Sequence, residues 1–258
     1  MAGLGVVRAA GLAPVWEHVA DSRGTEAQVA FSHAKENNPR ERAATEVVLT
    51  LMRPPVAEGK LTELEATLAG LAQGDDETAA LALYLSGRVQ QIHHLHADYP
   101  RAAEFYREAA RRFPQSHWAQ LGLVKLGLLT LYVLPEPVDP AARIAAATAQ
   151  LAGITEPALR RDLQLQIGQA ALGAGRPLDE VLPHLMAAEA VGGLLGIVAE
   201  DLVIQIGELS LRAGHTAQGR SYLEKFLREY PTNTRRYTIE QRLAEVALDA
   251  APAREVKP

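Results

Sequence analysis

Apolar residues recur along most of the chain at the three- and four-residue spacing of an α-helix, and breaks bearing proline or glycine separate the runs. The clearest run is 101–113. Ala102, Phe105, Tyr106, Ala109, Ala110 and Phe113 fall on one face, while Arg101, Glu104, Arg107, Glu108, Arg111 and Arg112 fall on the other. The same pattern predicts helices over 25–34, 41–52, 61–71, 78–96, 117–133, 141–151, 155–172, 178–190, 198–213, 216–230 and 234–248. Leu61, Leu64, Leu68 and Leu71 make one buried stripe, and Leu202, Ile206, Leu209 and Ala213 another. Thr25, Thr216 and the pair Asp139-Pro140 have the chemistry of helix starts, and Gly214 that of a left-handed helix end. Residues 1–23 show no clean period. The chain therefore reads as all-α.

A glycine recurs inside these helices. Gly87, Gly127, Gly168 and Gly207 are separated by 40, 41 and 39 residues, and the last three follow Leu126, Ile167 and Ile206. The segments starting at Asp162 and Asp201 agree at 8 of 14 positions, DLQLQIGQAALGAG against DLVIQIGELSLRAG. Glycine within a helix costs about 1 kcal/mol relative to alanine. Four at equivalent places point to a shared steric reason: a neighbouring helix that comes close. A fixed period of this length is the mark of a helical repeat array.

The units resemble tetratricopeptide repeats. The resemblance rests on Gly87 followed by Ala102, Tyr106, Ala109 and Pro114, and on a later unit with Ile206, Gly207, Gly214, Gly219, Leu223, Phe226 and Pro231. It covers 78–231, and more loosely 41–248. The chain departs from that family in three ways. Its period is 39 to 41 against about 34 in the family; the inner helices lack the early tryptophan; and the helices at 141 and 178 lack the aromatic and the closing proline. Armadillo and HEAT-type units have a more compatible length, but the alanine–tyrosine–alanine–proline helix favours the first family. The resemblance implies a right-handed α-solenoid with a concave groove lined by the first helix of each pair. The implied organisation is a weakly apolar segment at 1–24, degenerate helices at 25–77, four hairpins at 78–231, a capping helix at 232–248 and a tail at 249–258.

In such a groove the polar residues beside the glycines are the candidates for partner binding: Arg88, Gln91, Gln169, Glu208 and Arg212, with Tyr84 as an aromatic contact. The expected role is a non-enzymatic protein–protein interaction scaffold holding a protein or peptide partner, with no cofactor. Composition narrows the partner. The net charge of −5 argues against nucleic acid, which needs a concentrated basic face. Arg111-Arg112 and Arg235-Arg236 are short basic steps on solvated faces. The absence of cysteine excludes disulfides and thiolate metal sites, and no apolar run is long enough for an integral membrane segment. The N-terminal segment from Ala2 to Trp16 is apolar but short. It is a candidate for the remnant of an export signal around Val7-Arg8-Ala9, which makes an envelope-assembly or secretion adaptor the second reading, and also for self-assembly.

One cluster invites chemistry. His93, His94 and His96 lie together, and His93 and His96 are spaced to share a helix face and a metal. That leaves an enzyme or metal-binding protein as a third reading, although histidines at a helix end also interact favourably with its carbonyls. Asp75-Asp76-Glu77 reads as a helix start rather than a catalytic carboxylate pair. No P-loop, dinucleotide fingerprint or nucleophile elbow is present.

Overall fold

The computed structural model describes residues 11–35 and 38–249. The expectations placed on residues 1–10 and 250–258 fall outside them. Among the described residues there is no strand. The chain forms α1 (Ala13–Ala20), α2 (Gly24–His33), α3 (Pro39–Leu51), α4 (Glu58–Leu71), α5 (Glu77–Arg88), α6 (Tyr99–Arg112), α7 (His117–Tyr132), α8 (Pro140–Gln150), α9 (Pro157–Gly173), α10 (Leu178–Val191), α11 (Ile197–Arg212), α12 (Thr216–Glu229) and α13 (Arg236–Asp249). No helix of the described residues is long and apolar enough to cross a membrane. The molecule divides into two compact units, Met1–Leu163 and Gln164–Pro258, with the division inside α9.

Side-chain caps start five helices of the first unit. Asn38, Asp76, Asp98, Ser116 and Asp139 each accept a backbone N–H from the first turn that follows. Asn38 thus starts α3 rather than merely breaking the chain before it. Two expected caps differ. The helix near Thr25 begins at Gly24 after Arg23, and Thr216 is itself the first helical residue after His215; neither preceding residue makes a side-chain cap. α1 was invisible to periodicity because it has only eight residues, yet Val15 and Trp16 are buried.

In the first unit each helix from α1 to α8 packs on the next, and α5 also packs on α3 and on α7. Their shared core includes Leu49, Leu61, Leu68, Tyr84, Tyr106, Trp118 and Leu129. In the second unit α10, α11, α12 and α13 pack in sequence, around Val203, Leu223, Phe226 and Ile239.

The repeated glycines are places of close approach. A Cβ at Gly87 would lie 2.7 Å from Tyr106 Cζ, one at Gly168 2.5 Å from Leu185 Cδ2 and one at Gly207 2.7 Å from Leu223 Cδ2. In these three the intruding side chain comes from the helix that follows. Gly127 instead receives Leu163 Cδ1 at 2.5 Å and Gln150 Oε1 at 3.1 Å.

Polar contacts link residues 34 to 40 apart in sequence. Ser116 Oγ donates to Glu77 Oε2 (2.6 Å), and His117 Nδ1 meets Glu156 Oε2 (2.8 Å). His215 Nε2 meets Asp179 Oδ1 (2.5 Å). The basic steps share this work and are not simply solvated. Arg112 donates to the carbonyls of Ala72 and Gly74, capping the end of α4, and Arg235 bridges Glu200 and Asp201.

Candidate functional site

The residue after each repeated glycine and the residue two before it are three apart, so they share a helix face. The structure pairs two such positions between α9 and α11. In the second unit Gln169, which follows Gly168, donates from Nε2 to Gln205 Oε1 at 2.8 Å, and Gln205 precedes Gly207 by two. Gln205 returns a 3.3 Å bond. Glu208, which follows Gly207, accepts from Arg242 Nε of α13 at 3.2 Å. Gln169 and Glu208 are therefore occupied by neighbours within the fold. Arg212 is exposed and makes no hydrogen bond or ion pair among the described residues.

In the first unit the same register holds Arg88 of α5 and Lys125 of α7, two residues before Gly127; these helices pack together, and the charge of Arg88 acts on Lys125. Neither makes an ion pair among the described residues. Burial and the positive charge of Arg88 push the Lys125 ammonium below the usual lysine range, and Asp162 offsets this in part. Asp162 is itself held by Arg161 Nη2 at 2.7 Å. Arg88 Nη1 donates to Gln91 Oε1 at 2.9 Å, and the same oxygen accepts from Tyr106 Oη at 2.8 Å. Burial raises Tyr106 out of its ordinary range, so it stays a neutral donor. Arg88, Gln91 and Lys125 are all half-buried. They form a positive patch in a partly desolvated setting, where charge interactions are stronger than in open water.

Tyr84 is placed differently from the expectation. It is only 9% exposed and lies between Tyr106 (6.1 Å between ring centroids) and Trp118 (5.6 Å). Its ring is wall rather than contact surface.

The histidine cluster is also rearranged. The predicted helix over 78–96 stops at Arg88, and a π-turn over Val89–His93 follows. His93 and His96 therefore do not share a helix face. Burial, Arg88 and His94 all push His93 below the ordinary histidine range. His94 is the tied member: its Nδ1 meets Glu58 Oε2 at 2.8 Å and its Nε2 meets Glu65 Oε1 at 3.0 Å, and Leu95 N donates to Glu58 Oε1 at 2.9 Å. Those carboxylates hold the imidazolium form, so His94 is shifted up. No group of three histidines or carboxylates that could hold a metal occurs among the described residues.

Lys125 was the residue missed from sequence. The polar sequence candidates follow a repeated glycine by one to five residues, and the second glycine is followed directly by Leu128. The signal lay one helical turn earlier, at the position two before each glycine.

No family model matches this chain, and no curated protein matches it.

Proposed function

We propose that the chain is a tetratricopeptide-like α-solenoid that serves as a scaffold, and that it holds an acidic segment of a protein partner against Arg88 and Lys125. The observation that carries this is the unneutralised pair of half-buried cations at a register position that α9 and α11 fill with a matched amide pair. Like charges placed together destabilise a fold, and a bound carboxylate relieves them. Gln91 presents an amide whose oxygen is already occupied by Arg88 and Tyr106, which leaves its N–H groups as further donors to a carboxylate. The helical packing and the contacts one repeat apart are those a repeat scaffold uses.

The test is capture of partners from the native host by the protein and by an Arg88→Glu/Lys125→Glu variant, followed by cross-linking to map the bound segment. The expected outcome is a partner lost by the variant, cross-linked near α5 and α7 through an acidic stretch, and released by salt. A partner that both proteins retain, or one bound through a neutral or basic segment, would overturn the reading.

A further inference from the structure

Both tryptophans of the chain meet at one cavity. Trp16 of α1 and Trp118 at the start of α7 have ring centroids 5.9 Å apart. With Leu12, Ala44, Thr45, Thr78 and Leu81 they wall a cavity of about 20 Å³, room for one water-sized group such as an ammonium head. Two carboxylates reach it, Glu41 from the first turn of α3 and Glu77 from the first turn of α5.

The two carboxylates differ in how they are satisfied. Glu77 Oε2 accepts from Ser116 Oγ at 2.6 Å. Glu41 Oε1 accepts from Asn38 Nδ2 at 2.8 Å, but Glu41 Oε2 is buried with no hydrogen-bond partner. A buried carboxylate oxygen without a donor is costly. The basic side chains nearby are engaged elsewhere. Arg40 is bound to Asp76 and to the Leu71 carbonyl, and His117 to Glu156.

We propose that this cavity binds an alkylammonium group, which donates to Glu41 Oε2 while the indole rings of Trp16 and Trp118 and the Glu77 carboxylate stabilise its charge. Aromatic side chains attract cations through the negative face of the ring, most strongly for tryptophan. A divalent metal fits poorly, because it requires several oxygen ligands and the lining is mainly apolar. The site is separate from Arg88 and Lys125 and does not depend on the scaffold reading. The ammonium can be a small free amine or the side chain of a lysine in a partner.

Because the only two tryptophans line the cavity, intrinsic fluorescence reports on it directly. The protein is titrated with methylammonium chloride and with N-acetyl-lysine amide, each against sodium chloride at equal ionic strength. Expected is a saturable change beyond that of sodium, weakened at least tenfold in Glu41→Gln, which keeps the shape and removes the charge. Saturation by methylammonium alone assigns the site to a small free amine, and tighter saturation by the lysine amide assigns it to a side chain. Should Glu41→Gln fail to fold, Glu77→Gln replaces it, with weaker binding expected. The proposal is overturned if neither ammonium saturates, if sodium gives the same curve, or if the folded glutamine variant binds as well as the parent. Those are the results expected if only a water donates to Glu41.

Discussion

A methyl group is enough to test the spacing of the helices. At Gly87 a Cβ would sit 2.7–2.8 Å from Tyr106 Cζ and Cδ1, inside a ring that is fully buried. Tyr106 has no room to yield, so Gly87→Ala is expected to destabilise the protein by about 1–3 kcal/mol, the cost of overpacking, despite the better helix propensity of alanine. Gly70, near the end of α4, has nothing within 4 Å of the same added atom. Gly70→Ala is therefore expected to stabilise by about 0.5–1 kcal/mol. Urea denaturation of the two variants should give opposite shifts. Two shifts of the same sign would remove the packing explanation for the glycine. The neighbouring histidines give a second contrast. His94 is raised by its carboxylates, so its contribution is fully present below the unfolded histidine value of about 6.5 and is lost as pH rises through its higher folded pKa. His93 is lowered by burial, so it carries no penalty above about 6.5 and destabilises the fold as pH falls below that. In an NMR titration His94 should titrate above the ordinary value and His93 below it. The melting difference between the protein and His94→Gln should shrink as pH rises past neutrality.

Between elements, the most concentrated polar contact is a borrowed cap. Just before α9, Gln120 of α7, only 2% exposed, accepts through one oxygen from Thr155 N (2.8 Å), Glu156 N (2.9 Å) and Thr155 Oγ1 (3.2 Å). Gln120→Leu keeps the volume and removes the acceptor, leaving two backbone donors without a partner. The expected loss is about 2–4 kcal/mol, read by thermal or urea unfolding. A loss under about 0.5 kcal/mol would mean that water replaces the cap. This element shows where sequence reasoning stops. The helices that carry a full apolar stripe, such as α6 and α11, could be read directly because period and burial coincide. So could Asp139 as a cap, since capping is local. Gln120 could not, because its partners lie 35 and 36 residues away. α1 escaped because two buried residues in eight define no period. The end of α5 at Arg88 escaped because the apolar pattern runs on through Val89, while Asp98 N instead bonds to the Gln90 carbonyl and closes the chain back on itself.

Across the first unit, the question is why the fold tolerates Lys125 beside Arg88. The register that pairs Gln169 with Gln205 would admit an acid at either position. The repeat period made the position legible, but its charge acquires meaning only once the structure shows which residue faces which. Lys125→Glu puts a carboxylate opposite Arg88 and converts a repulsion into an ion pair. On stability alone the change is expected to be neutral or favourable by up to about 1 kcal/mol, the range of partly exposed pairs. If the cations hold an acidic partner segment, the same substitution removes that binding. The variant should therefore be at least as stable as the parent and yet inactive in capture, a separation that a purely structural lysine does not produce. Thermal unfolding and partner capture on the same preparation decide it. A Lys125→Glu protein that is destabilised by more than about 1 kcal/mol would show that Lys125 supports the fold through its packed stem. One that is stable and still captures the partner would move the binding surface away from α5 and α7. Sites retained for function at a cost in stability are the ones where stabilising substitutions abolish activity, and Arg88 with Lys125 meets the structural half of that description.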